Sequence, residues 1–174
     1  MKYSSNLLFI IILFFHFTLL KADLLIAYVD MDRLMNSSKA GESITLQLTA
    51  IHKKTLTELK KIEEELKKDE SNVIKQKNVI TEKEFKKKLS QLRNKASDYQ
   101  KQRKKFNDSL NKKRMDATSQ LISSLQPILS EYANKNSISI VIQKKNIIIG
   151  KTELDITEDI LKILNENHKK IAIN

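Results

Sequence analysis

The chain has 174 residues, with 32 Lys and Arg against 21 Asp and Glu, a formal net charge of +11, no cysteine, two glycines and one proline. Without cysteine there is no disulfide staple and no thiolate metal site, and Gly41 and Gly150 alone cannot form a dinucleotide fingerprint or a phosphate-cradling loop. A positive excess of this size attracts anionic partners: nucleic acid, acidic headgroups or acidic proteins.

Met1-Lys2, an apolar run from Leu7 to Leu20 and the sequence Leu20-Lys21-Ala22 before Asp23 have the layout of a secretory signal peptide over residues 1–22, cleaved after Ala22. The run is short for a membrane span. The alternative is an uncleaved anchor, because Leu20 is larger than the small residue preferred three places before a cut. No cysteine follows the cut to carry a lipid.

Leu24 to Val29 is a short apolar run stopped by Asp30, and it reads as a strand. Residues 40–134 then read as an arm of two long helices folded back on each other, with the tip near 76–81. Its first half spaces Ile44, Leu48, Ile51, Thr55, Leu59, Ile62, Leu66 and Val73 as one helix face. Its second half is stricter: Phe85, Leu89, Leu92, Ala96, Tyr99, Arg103, Phe106 and Leu110 alternate steps of four and three, the period of a seam on an otherwise polar rod. Thr81 followed by Glu84 predicts a capping box that starts the second helix, with Ile80 and Phe85 placed for a hydrophobic staple. Neither Gly nor Pro marks the reversal, so one continuous helix is the alternative. Pro127 either kinks the return helix or starts a new one where arm becomes body.

Charge follows the same division. Residues 53–114 hold 21 basic and 10 acidic residues, a net +11, whereas the mature chain from residue 23 nets +9. All the positive excess therefore lies on the arm. Glu63/Lys67, Glu64/Lys68, Glu82/Lys86 and Glu84/Lys88 have the favourable order for pairing one turn apart. Lys75, Lys77, Lys83, Lys86, Lys87 and Lys88 gather at the tip as candidate contacts for an anionic partner or membrane surface.

Residues 23–39 and 135–174 remain to form a body, close to the size at which one core becomes marginal, so oligomerisation is expected. Ile138 to Ile142 alternates with period two, Lys144-Lys145-Asn146 is a link of hairpin length, and Ile147-Ile148-Ile149 reads as a further strand ending at Gly150. Ile26, Ala27, Val29, Ile138, Ile140, Ile142, Ile147 and Ile149 are the expected oligomerisation-strand residues. Asp155-Ile156-Thr157 opens a last helix with Ile160, Leu161 and Leu164 on one side. Strands at both chain ends meet only if the arm is an insertion between them. The fold class is α+β, a small β-rich body with a protruding antiparallel helical hairpin.

His16, His52 and His168 form no cluster with carboxylates at metal-ligand spacing, and no cofactor or catalytic group is read. Two readings fit the basic rod on its residues alone. A nucleic-acid binder is disfavoured because Phe85, Tyr99 and Phe106 sit on the seam rather than beside the lysines. A coiled-coil envelope scaffold is the other.

Ile26-Ala27-Tyr28-Val29-Asp30-Met31, then Ser37 to Gly41, the Lys/Glu/Gln-rich arm, Pro127, and Ile140-Val141-Ile142 leading to Asp155-Ile156-Thr157 together resemble the Skp/OmpH periplasmic chaperones. The order and spacing of these pieces carry the resemblance, and it covers essentially the whole mature chain. The resemblance implies a jellyfish-like homotrimer, with a β-barrel body made of strands from three subunits and three hanging hairpins. It further implies that unfolded outer-membrane proteins are held in the cavity between the arms without ATP; contact of the tip lysines with an anionic lipid or lipopolysaccharide surface is a separate expectation from their charge. Gln143 departs from the family pattern, where an acidic or small residue is common.

Overall fold

The computed structural model describes residues 24–173; the signal-peptide reading of residues 1–22 lies outside them. Strand β1 (Leu25–Val29) leads into a short helix α1 (Met31–Ser37), the outgoing helix α2 (Lys39–Gln76), the return helix α3 (Glu82–Lys135), strand β2 (Ile138–Gln143) and a last helix α4 (Thr157–Asn167). Two 3-10 turns, Lys144–Asn146 and Thr152–Leu154, lie between β2 and α4.

The starts of α1 and α2 have their chemistry in the sequence. Asp30 Oδ1 accepts the Arg33 N–H at 2.9 Å to open α1, and Ser38 Oγ accepts the Gly41 N–H at 3.1 Å to open α2. Such caps satisfy N–H groups that the first turn leaves without a partner. Gly41 is buried because α1 crosses there: a Cβ on it would stand 1.9 Å from the Met35 carbonyl oxygen. Helix α3 runs unbroken through Pro127, whose ring is exposed. No second helix begins there. The helix ends with Ser137 at φ 56, a left-handed residue where glycine is the usual choice.

β1 and β2 pair in parallel, with Ile26 opposite Ile140, Ala27 opposite Val141 and Tyr28 opposite Ile142. The sheet has only these two strands among the described residues. The far side of β1 is taken by a bridge from Tyr28 to Asp155, where the Ile156 N–H donates to the Tyr28 carbonyl at 3.0 Å. The strand expected at Ile147 and Ile149 is not present. The chain leaves β2 through the 3-10 turn at Lys144–Asn146, closed by the Ile147 N–H on the Lys144 carbonyl at 3.0 Å, and so never returns along β2. Ile148 and Ile149 instead stand 99% and 92% exposed, and the outer edge of β2 stays open.

The core spans body and arm root. Leu34, Leu121, Leu125, Ile160 and Leu164 are fully buried, and Ala40, Ile44, Leu48, Ala117, Ile128 and Ile156 join them in one cluster. It therefore extends beyond residues 23–39 and 135–174 into the first turns of α2 and the last turns of α3. Beyond α4 the chain crosses this root. Ile171 enters the core, and the Gln47 carboxamide grips the backbone on either side, donating to the Ile171 carbonyl at 2.7 Å and accepting the Ile173 N–H at 3.2 Å.

Polar contacts lock the body. The Asp30 N–H donates to Thr157 Oγ1 at 2.8 Å, and Arg33 pairs with Glu158 at 2.6 Å. Tyr132 donates to Asp159, which, together with burial, pushes the Tyr132 hydroxyl up to about 12. Burial would raise the Asp155 carboxyl, but hydrogen bonds from Thr157 and Lys144 outweigh it and hold the group below its usual range.

Candidate functional site

Above the root the two helices make a long arm of changing character. Packing is complete as far as Leu48 and Ala117, and only half complete at Ile51, Phe106 and Leu110. It recovers once, where Leu59 and Tyr99 are each 8% exposed. Toward the tip from there no residue is buried: Ile62, Leu66, Val73, Phe85, Leu89 and Leu92 are all half-buried. Ala96 and Arg103, both on the seam, are exposed.

Buried Leu59 on α2 and buried Tyr99 on α3 mark a clasp with a charged rim. Tyr99 donates its hydroxyl to Glu63 at 3.2 Å, and the Arg103 guanidinium lies 5.8 Å from the centre of the Tyr99 ring, within cation–π range. Lys67 pairs with Glu63 at 2.8 Å. Its hydrogen bond, then its charge, and then the Tyr99 hydroxyl hold the Glu63 carboxyl below the usual carboxylate range, while Glu63 raises Lys67.

Farther out, polar straps replace the apolar seam. Lys95 reaches across to Asp69 at 2.6 Å, which raises the Lys95 ammonium, and Lys88 reaches across to Gln76 at 2.5 Å. Between these straps the helices leave a cleft of about 610 Å³. Lys88 thus hydrogen-bonds the other helix, while its charge still helps to lower the Glu84 carboxyl. Glu64 pairs backward with Lys60 at 4.0 Å instead of forward with Lys68. Lys86 pairs with Glu82 at 2.6 Å.

The reversal is a tight turn from Lys77 to Ile80, with the Val79 and Ile80 N–H groups on the Gln76 carbonyl. Thr81 and Glu84 form a capping box: Thr81 Oγ1 accepts the Glu84 N–H at 3.3 Å and Glu84 accepts the Thr81 N–H at 3.1 Å. The Thr81 hydroxyl and then its backbone hold Glu84 below the usual carboxylate range. Lys75, Lys77, Lys83 and Lys87 are exposed and have no partner among the described residues. Ile74 and Val79 stand among them, 64% and 80% exposed.

Of the oligomerisation-strand residues, Ala27 and Val29 are buried within the subunit, whereas Ile26 and Ile140 are 36% and 44% exposed. Ile138 and Ile142 are half-buried on β2, and Ile147 and Ile149 lie outside the sheet. Among the described residues no group of His, Cys, Asp and Glu is placed to hold a metal, and no helix is long and apolar enough to cross a membrane.

The family model described as outer membrane protein (OmpH-like) matches residues 25–164. No curated protein matches the sequence. Among solved structures the fold is similar to that of a protein from Caulobacter crescentus CB15 described as an outer membrane chaperone (OmpH-like). The two share 16% identity and a TM-score of 0.82, over 86% of this chain and 88% of that one. Both strands, the arm and all but the last three residues of the final helix fall within the matched residues, and the chain belongs to the OmpH-like outer membrane protein family.

Proposed function

We propose that this protein is an ATP-independent periplasmic holdase that binds unfolded outer-membrane β-barrel proteins and keeps them soluble until insertion. The observation that carries this reading is the division of one chain into a fully packed root and a long cationic arm that buries only Leu59 and Tyr99 beyond it. Thin packing makes the outer arm low in local stability and adaptable, and its net positive charge speeds capture of anionic chains. Weak, dispersed contact suits a client without fixed shape.

The working form is a homotrimer. A two-stranded parallel sheet is not self-sufficient, since parallel strands are stable when buried on both faces. The open edge of β2, with Ile140 exposed on the strand, and the exposed Ile148 and Ile149 that follow β2 in the chain offer surface on which further copies complete a β-rich body.

The test dilutes a urea-unfolded outer-membrane β-barrel protein into buffer with the purified protein and no ATP. Suppressed aggregation at near-stoichiometric trimer is the expected result. Unchanged aggregation overturns the reading and favours the envelope scaffold. Light scattering gives the mass, with a trimer expected for the wild type and a smaller species for the double variant Ile148→Lys, Ile149→Lys.

A second reading attaches to the tip. Exposed Ile74 and Val79 among unpaired lysines suit contact with an anionic lipid or lipopolysaccharide surface, each lysine near the surface contributing about 1 kcal/mol. Cosedimentation with phosphatidylglycerol vesicles, lost in high salt and absent with phosphatidylcholine, is the expected result.

A further inference from the structure

The cleft between the helices near the tip is lined by four side-chain amides: Asn72 and Gln76 from α2, Gln91 and Asn94 from α3. Gln76 is engaged by Lys88. The other three make no hydrogen bond among the described residues, so their donors and acceptors face solvent. What a helix-borne carboxamide can do is visible at the root of the same arm. There Gln47 takes hold of an extended stretch of main chain by a carbonyl and an N–H two residues apart, through its own nitrogen and oxygen.

Resting on the holdase reading, we propose that the distal cleft is a main-chain-binding site, which takes an extended segment of unfolded polypeptide by its peptide groups through Asn72, Gln91 and Asn94. A carboxamide carries both donor and acceptor, so it pairs with a peptide group whichever way the segment runs. Side chains of the segment point away from the contact, which makes it indifferent to sequence. Peptide groups are the one feature common to every unfolded client.

The probe is a short labelled peptide of alternating Thr and Tyr, compared with the same peptide carrying an ester in place of every second amide. The ester deletes the N–H donor and weakens the carbonyl acceptor but leaves the side chains. Binding is read by fluorescence anisotropy on the purified full protein. With each net hydrogen bond contributing about two- to tenfold, wild type should bind the amide peptide about tenfold more tightly, and the difference should persist in high salt. The triple variant Asn72→Ala, Gln91→Ala, Asn94→Ala should bind both peptides equally, at the ester level. Gln100→Ala with Gln102→Ala and Asn107→Ala, which do not line the cleft, should behave as wild type.

Equal binding of the two peptides by wild type overturns the proposal, a comparison that needs no variant. So does a folded triple variant that still discriminates. Barrel aggregation separates this from the function itself. If wild type fails to suppress aggregation, the holdase reading falls, whatever the peptides show. If wild type suppresses it while showing no preference for amide over ester, the cleft proposal alone falls.

Discussion

Replacing Tyr99 by alanine removes the one point where the outer arm is closed by burial. An aromatic side chain of this kind buries roughly 150–250 Å², which at about 25 cal/mol per Å² gives roughly 4–6 kcal/mol. That is an upper bound, because unfolded chains already cover part of their apolar surface, and alanine regains helix propensity. The net cost is about 2–4 kcal/mol, near the lower end for aromatic truncation in a core. Where it appears is the informative part. Beyond the clasp nothing is buried, so the outer helices should open as a local unit while the root keeps its packing. Native-state hydrogen exchange should show protection between residues 60 and 98 falling about 30- to 900-fold, at 1.36 kcal/mol per tenfold. Protection around Leu121 and Leu125 should hold. Tyr99→Phe, which gives up only a hydrogen bond to an exposed carboxylate, should change the outer arm less than about fivefold. Equal loss of protection at root and tip in Tyr99→Ala would refute the reasoning, since arm and body would then open as one unit. Unchanged outer protection would refute it too, because the clasp would not be what holds the helices together.

Gly41→Ala should cost at least about 1–3 kcal/mol by overpacking and visibly lower the urea midpoint, because the added carbon meets the Met35 backbone rather than a movable side chain. Ser137→Gly should stabilise by about 0.5–1 kcal/mol: it relieves about 1–2 kcal/mol of left-handed strain against the larger unfolded-state entropy of glycine, read as a raised urea midpoint. Thr81→Ala should cost the start of α3 about 1 kcal/mol, seen as faster exchange in its first turn. Glu84 has its pKa lowered by Thr81, so its support for the cap is present above the ordinary carboxylate pKa and lost as pH falls through the depressed value. The chemical shift of the Thr81 amide should report that acid transition and lose it in Glu84→Gln.

The seam was legible because an arm of two long helices offers many repeats of a simple period, and the capping box because Thr81 and Glu84 act within one turn. Helix α1 escaped notice for the opposite reason. At seven residues it is too short to show periodicity, and its one buried side chain, Leu34, looks like any isolated apolar residue. Its signal was Asp30 as a cap with Asp32 in the first turn. Ile147 to Ile149 misled because strand preference was read without asking which edge the run would pair with. The clasp needed register between two helices: Tyr99 and Leu59 lie on separate stripes, and only folding shows that they are buried where their neighbours are not. The cleft amides lie off the seam, among residues that sequence alone treats as solvated surface.

The pairing of β1 with β2 also decides the order in which the molecule can be made. Asp30 and Thr157, which bond across the body, stand 127 positions apart in the chain. Closing a flexible loop of that length costs entropy before any contact compensates it, and such distant contacts slow folding. A hairpin that closed from the reversal at Lys77–Ile80 inward would bring the two ends together and lower that cost, making the arm the scaffold on which the body folds. A chain emerging from its N-terminus must hold β1 without its sheet partner until Ile138–Gln143 has followed, and variants that loosen the turn should slow assembly of a sheet at the opposite end of the molecule.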